Sequence, residues 1–311
     1  MHAEGTLMDS QAISADEAGN MLPNRLESTD SGVGMTSPRP TSNTRELGGY
    51  TLSLDYIMIS FIEANAEEIC DYFFGFLFED FDNMDSSMRG FSRVLTNGSL
   101  FLHYDNKGSK SVVVLEIRGR GCRYLEQHSA HSWLEFFQRI VETPNHVLLE
   151  RYAVKRIDVA IDSYTSDTLT PARALSYLKK KLVTSRFQTS RTIHEYRIKN
   201  KELSGDSFYL GKRSSDLSIL IYDKQLESGG GTVWYRTELR FRNLWGMKAV
   251  LALVDTDVSF SKFIADTLGA NVQFRSSVHK RSELRRQPLA AWYSKYLVYV
   301  ENQSLYKLNR S

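Results

Sequence analysis

The run Val154-Lys-Arg-Ile-Asp-Val-Ala-Ile-Asp162 constrains this chain more than any other stretch. Side chains alternate across a strand, so Ile157, Val159 and Ile161 take one face while Arg156, Asp158, Ala160 and Asp162 share the other. A strand of this kind belongs to a sheet with one apolar face and one charged face. Two later runs repeat the pattern. In Trp234–Arg242 the alternation gathers Arg236, Glu238, Arg240 and Arg242; in Leu217–Lys224 it gathers Ser218, Leu220, Tyr222 and Lys224.

Around these strands the chain repeats an order. Leu54–Phe61 reads as a strand and Ala66–Asp80 as a helix, followed by strands near Phe91–Leu95, Ser99–Tyr104 and Ser111–Arg118. A helix is expected over about Ser132–Glu142, led into by Gly121–Glu126. After Val154–Asp162, Thr170-Pro171 marks a helix start, with the helix running to about Val183. Strands are expected near Thr192–Lys199, Ser207–Leu210, Leu217–Lys224 and Val233–Arg242, then helices near Trp245–Val254 and Ser259–Leu268. Each half places an Asp in its first strand (Asp55, Asp158) and a Glu-x-Arg in its last (Glu116-Ile-Arg118, Glu238-Leu-Arg240).

The expected fold is therefore α+β, with antiparallel sheets and packed helices in two duplicated RRM-like or ferredoxin-like units. These span residues 48–150 and 151–255, and a helical, basic part covers 256–311. Only the second unit has a complete set of reactive residues, which leaves Asp55 and Glu116 as structural relics. Residues 1–47 lack apolar periodicity and read as a disordered acidic leader.

Composition narrows the class. Hydrophobic residues are 41% of the 311, enough for a large core, and no apolar run approaches the roughly 20 residues of a membrane helix. The start of the chain has no charged-then-apolar signal region, and Cys70 and Cys122 make no disulfide framework or zinc pattern. A membrane protein, a secreted disulfide scaffold and a zinc finger are excluded, and a cytoplasmic location is the default. The net charge of +2 conceals a division: residues 1–150 carry 11 Lys/Arg against 22 Asp/Glu, while residues 151–311 carry 28 against 15. The basic half suits a polyanion such as nucleic acid.

If the three charged strands are neighbours, one surface holds carboxylates, arginines, a lysine and a tyrosine. Carboxylates at Asp158, Glu238 and Asp162 suit a hard cation, Mg²⁺ or Mn²⁺. The cation, Arg236 and Lys224 would stabilise charge developing on a phosphodiester that Tyr222 attacks. The bland alternatives are a salt-bridged solvent face and a core tyrosine, or a non-enzymatic RNA- or DNA-binding sheet of the RRM type. Carboxylates among the arginines favour an enzyme, because without a cation they repel nucleic acid. His128-x-x-His131 lacks a third ligand, and Gly229-Gly-Gly231 reads as a hairpin loop.

The ordered motifs Gly205–Asp216, Ile221-Tyr-Asp-Lys-Gln-Leu-Glu227 and Trp234-Tyr-Arg-Thr-Glu238 resemble the Rep-trans family of rolling-circle plasmid replication initiators and related conjugative relaxases. Asp55-Tyr56, Gly119–Glu126 and Arg156–Asp162 fit the same pattern, and the resemblance covers about residues 50–300. It implies site- and strand-specific nicking and rejoining of origin DNA through a 5′-phosphotyrosyl intermediate, with Tyr222 as nucleophile and Asp158, Asp162, Arg236 and Glu238 at the other motif positions. The nick site would be single-stranded in a supercoiled or hairpin origin. The resemblance also implies a homodimer, a recruited superfamily 1 helicase and a bacterial cytoplasmic location. The His-hydrophobic-His metal motif of other rolling-circle nucleases is absent, as expected of a branch that uses carboxylates. One departure stands out: Leu220 occupies a position where family members often carry Arg, two residues before the tyrosine.

Further DNA contacts are expected from Arg156, Arg240 and Arg242, and origin recognition from Lys280, Arg281, Arg285 and Arg286. A conjugative relaxase with the same chemistry is the alternative. Such proteins often carry an N-terminal helix-turn-helix domain, for which the leader is too short, so the initiator is favoured.

Overall fold

The structure is a computed structural model. It describes residues 49–305 apart from 75–77, 85–87, 106–111, 130, 142–151 and 277–282. The acidic leader and two of the expected origin-binding residues, Lys280 and Arg281, lie outside the described residues.

The first half supplies β1 (Tyr50–Ile62), α1 (Ala66–Phe74), β2 (Asp82–Met84), β3 (Arg93–Asn97), β4 (Leu100–Tyr104), β5 (Val112–Arg118), α2 (Gly119–His128) and α3 (Trp133–Val141). The second supplies β6 (Tyr152–Ser163), α4 (Pro171–Lys179), β7 (Val183–Ser185), β8 (Ser190–Arg197), β9 (Glu202–Leu210), β10 (Leu217–Asp223), α5 (Lys224–Ser228), β11 (Tyr235–Arg242), α6 (Asn243–Val254) and α7 (Phe260–Asn271). β12 (Val272–Phe274) and α8 (Ala291–Glu301) end the described chain. Among the described residues, no helix is long and apolar enough to cross a membrane.

Ten strands form one antiparallel sheet in the order β2-β3-β4-β5-β1-β6-β11-β10-β9-β8. Read outward from the seam between β1 and β6, the two sides match strand for strand: β5 with β11, β4 with β10, β3 with β9 and β2 with β8. The seam is an antiparallel ladder running from Tyr50↔Ser163 to Phe61↔Tyr152, irregular between Leu54 and Tyr56. Both halves share one sheet and one core.

That core lies on the apolar face of the strands. Ile57, Ile59, Phe61, Ile157, Val159 and Ile161 are all buried, and α1 and α3 bring Phe73 and Phe136 into ring contact at 5.0 Å. The C-terminal helix α8 joins this core: Tyr50 stacks on Tyr299 at 5.2 Å, and the Tyr293 hydroxyl donates to the Val272 carbonyl at 2.8 Å. The part expected to be a basic helical module is thus largely core at its end. Arg285 and Arg286 sit on a single 3-10 turn, Leu284–Arg286.

Local chemistry explains where element boundaries differ from expectation. α4 begins as Thr170-Pro171 requires, with the Thr170 hydroxyl accepting from the Arg173 amide at 3.1 Å. It stops at Lys179 rather than Val183, because Lys181 turns left-handed (φ 57°). Gly119–His128 is a helix although its glycines disfavour one. A Cβ on Gly121 would lie 2.5 Å from the Ser99 carbonyl oxygen, so packing against the start of β4 demands glycine. β10 ends at Asp223, whose carboxylate caps α5 by accepting from the Leu226 amide at 3.0 Å. Lys224 therefore opens a helix and does not continue the strand.

Candidate active site

The register places the three charged strands side by side. Tyr222 faces Arg236, which faces Asp162; Leu220 faces Glu238, which faces Ala160; Ser218 faces Arg240, which faces Asp158. The charged face these rows create is largely screened from water, with Asp158, Asp162, Arg236 and Glu238 all buried.

Tyr222 is 9% exposed and its hydroxyl donates to Glu238 Oε1 at 2.7 Å. Burial, then the charge of Glu238, pushes the phenol well above its ordinary 10, with Arg236 working the other way. Burial also works to raise Glu238. Arg240 and Arg236, with the hydrogen bonds from Arg240 and Tyr222, outweigh it and hold that carboxyl below its ordinary 4.5. The pair is thus a neutral phenol hydrogen-bonded to an ionised carboxylate.

Arg236 is the hub. Its Nε and Nη2 donate to the two oxygens of Asp162 at 2.7 and 2.8 Å, and its Nη1 donates to Asp55 Oδ1 at 3.0 Å. Trp234 Nε1 donates to the same Asp162 oxygen at 2.7 Å. Asp158 is held by both Nε and Nη2 of Arg156, at 2.8 and 2.5 Å. Arg240 bonds Glu238 Oε2 at 2.7 Å and lies 3.6 Å from Asp158. Arg242 donates weakly to the Ser215 carbonyl and the Ser218 hydroxyl at 3.3 and 3.4 Å. Lys224 Nζ lies 5.6 Å from the Tyr222 ring centre and pairs with Glu227 at 2.6 Å.

Asp55 is the residue that sequence reasoning misplaced. The pairing Tyr56↔Arg118 in the first half matches Asp158↔Arg240 in the second, so Tyr56, and not Asp55, stands where Asp158 does. Asp55 falls at the irregularity in the seam, which turns its carboxylate toward Arg236. It is a member of the site and no relic; the bulge that aims it leaves no mark in the alternation. Trp234, at the head of the motif before β11, joins the site as well through its hydrogen bond to Asp162.

The donor atoms are of the type a hard divalent cation takes. Four carboxylates, Asp55, Asp158, Asp162 and Glu238, meet three arginines, Arg156, Arg236 and Arg240. Burial raises Asp55 and exceeds the lowering by Arg236, and the charges of Glu238 and Asp162 raise it further. Among the described residues no three acidic, His or Cys side chains form a ready-made cage. The three expected ligands each carry an arginine: Asp158 has Arg156, Asp162 has Arg236 and Glu238 has Arg240. Arg286 pairs at 3.8 Å with Glu283, and neither it nor Arg285 touches this cluster among the described residues.

The fold is that of a rolling-circle initiator. It is similar to the structure of the rolling circle replication initiator protein from Geobacillus stearothermophilus, with a TM-score of 0.75 and 24% identity over 84% of this chain and 100% of that chain. Residues 152–310 match the replication initiation factor family, and residues 51–139 match the rolling circle replication initiation protein N-terminal domain. The chain belongs to the replication initiation factor family. The putative DNA relaxase NicK of Bacillus subtilis (strain 168) is 24% identical, over 65% of this chain and 58% of that protein. The chain thus spans less than two thirds of that relative's length.

Proposed function

We propose that this protein initiates rolling-circle replication by cutting one strand at an origin with Tyr222 and later rejoining it. The observation that carries the reading is the Tyr222–Glu238 hydrogen bond of 2.7 Å beside the Arg236 guanidinium. Glu238 takes the phenolic proton as the Tyr222 oxygen attacks phosphorus. The bond from phosphorus to the 3′ oxygen breaks, and that oxygen leaves and is protonated to a 3′-hydroxyl. The tyrosyl phosphoester conserves the bond for rejoining by the reverse step. Arg236 and Arg240 hold the scissile phosphate, and Lys224 flanks the Tyr222 ring. Arg240 supplies the cation that Leu220 cannot.

Asp55 and Glu238, with Asp158 and Asp162 behind them, would hold Mg²⁺ or Mn²⁺, which would supply positive charge to stabilise the reacting phosphate. Tyr222 and Glu238 are both nearly closed to water, so the strand and cation must loosen the arginine pairs to enter. Arg156 and Arg242 extend the basic face, and Lys280, Arg281, Arg285 and Arg286 contribute to origin recognition. A homodimer, a superfamily 1 helicase partner and a bacterial cytoplasmic setting complete the proposal. A second reading, nicking at a transfer origin, draws on the likeness to a relative named a relaxase.

The test is a nicking assay on supercoiled plasmid carrying the candidate origin, with Mg²⁺, Mn²⁺ or EDTA, followed by denaturing gels. Wild type is expected to give a metal-dependent nick and a covalent adduct, both reduced about 10³-fold or more in Tyr222→Phe. An adduct that persists in the variant sinks the nucleophile assignment. Cutting of a transfer origin but not a replication origin selects the second reading, and origin binding without cutting in either metal selects a non-enzymatic DNA-binding protein.

A further inference from the structure

The matching halves of the sheet can be aligned residue by residue through their pairing. Glu116 and Arg118 on β5 stand where Glu238 and Arg240 stand on β11. Phe101↔Glu116 corresponds to Leu220↔Glu238, so two residues further along its strand His103 occupies the place of Tyr222. By the same register Val114 replaces Arg236, Ser60 replaces Asp162 and Tyr56 replaces Asp158. The first half has lost the nucleophile and the hub arginine but kept the Glu-x-Arg pair.

What surrounds Glu116 is a built cluster. This carboxylate is 1% exposed and accepts five hydrogen bonds. Tyr56, Arg89 Nη2 and Arg118 Nε donate to Oε1 at 2.9, 2.9 and 3.0 Å. Arg89 Nε and the buried His103 Nε2 donate to Oε2, each at 2.9 Å. Burial works to raise Glu116, but His103, Arg89 and Arg118 hold it well below the carboxylate range, so it stays ionised. Two guanidinium groups then share one negative charge. Both arginine side chains are 42% exposed, and neither Nη group of Arg118 has a protein acceptor among the described residues.

We propose that the Arg89–Arg118 cluster is a second DNA site, a degenerate copy of the nicking site that grips a backbone phosphate of the single strand beside the cut. The proposal rests on the nicking function proposed above. Electrostatics argues for it: a buried carboxylate that orients two arginines leaves, among the described residues, one uncompensated positive charge facing solvent, which matches one phosphodiester. Position argues for it too. Arg240, Asp158, Tyr56 and Arg118 lie directly opposite one another on four consecutive strands, so about 14 Å of continuous sheet separates the two arginines. Between them Arg156 lies over the Tyr56 ring at 4.4 Å, and on the outer side of β5 Arg118 lies over the ring of Phe101 on β4 at 4.0 Å. A basic, aromatic-lined track is the usual means of holding a single strand.

The test is binding of fluorescein-labelled oligo-dT to the full chain, followed by anisotropy across a salt series. The double variant Arg89→Gln/Arg118→Gln is compared with a control, Lys248→Gln/Lys262→Gln, that removes the same charge from α6 and α7. The expected result is an affinity about tenfold weaker in the first variant, with a log–log salt slope shallower by about 0.7, and little change in the control. A double variant that matches the control overturns the site.

Because loss of both arginines also loosens Glu116, wild-type protein is photocrosslinked in parallel to oligo-dT carrying 5-iododeoxyuridine. Crosslinks to Tyr56 or Phe101 support the site, and crosslinks confined to residues 152–305 overturn it. Wild type that binds no oligo-dT at all overturns this inference, and the proposed function falls with it only if plasmid carrying the candidate origin is not cut either. Wild type that nicks plasmid through Tyr222 while the double variant binds like the control overturns this inference alone.

Discussion

Tyr222 illustrates how little a reactive residue type says by itself. An exposed phenol at an ordinary pKa near 10 is a poor nucleophile at neutral pH. Here burial raises it further, and the role proposed for it depends on the ionised Glu238 that sits 2.7 Å away as a proton acceptor. Asp55 acts at the same scale. Its carboxylate holds the Nη1 corner of Arg236 from across the β1–β6 seam, while Asp162 holds the other two nitrogens. Asp55→Asn is expected to leave the Arg236–Asp162 pair intact and the fold stable, but to lower the nicking rate about 10²-fold by weakening cation and phosphate placement. Single-turnover nicking across a Mn²⁺ titration checks this: a rate and metal dependence equal to wild type would return Asp55 to a purely structural role.

Elements set the angles at which these residues meet. β10 delivers Tyr222 at its end, and the Asp223 cap switches the chain at once into α5, which carries Lys224 to the side of the tyrosine ring. On the other side of the seam, α2 packs so closely on the start of β4 that its glycines have no substitute. Gly119→Ala would bring a Cβ within 2.9 Å of the Asp55 carboxylate, and Gly121→Ala within 2.5 Å of a backbone carbonyl. Backbone cannot swing aside as a side chain can. Gly121→Ala is therefore expected to cost about 1–3 kcal/mol despite alanine's better helix propensity, read as a lower urea midpoint. An unchanged or higher midpoint would mean that α2 shifts without penalty.

At the scale of the whole molecule, the β1–β6 seam makes the halves interdependent. β6 is central in the sheet, bonded to β1 on one side and β11 on the other, and α8 from the C-terminus packs on Tyr50 of β1. A fragment of residues 152–311 contains every arginine and tyrosine of the proposed nicking centre. It would nonetheless expose the edge of β6, strip Tyr296 and Tyr299 of their contacts with Tyr50 and lose Asp55. The fragment is expected to aggregate or remain unfolded, and to recover only when residues 49–151 are supplied; size-exclusion chromatography and circular dichroism report either result. A monomeric, folded fragment would show that the second unit is autonomous.

Alternation alone was enough to read which face of Val154–Asp162, Leu217–Asp223 and Tyr235–Arg242 carries charge, because side-chain direction in a strand depends only on parity. The order of elements, the Thr170-Pro171 helix start and the place of Tyr222 within its motif are likewise local properties, written in neighbouring residues. The tertiary structure decided the rest. Which strands are neighbours, and therefore that Tyr222 meets Glu238 and Arg236 meets Asp162, follows from long-range pairing that no local pattern encodes. The helix at Gly119–His128 forms against its propensity because packing on β4 outweighs it. Asp55 joins the site because a bulge breaks parity at one position, and His103 is seen as the counterpart of Tyr222 only once the two halves are laid in register. Parity is a property of the chain; adjacency is a property of the folded sheet.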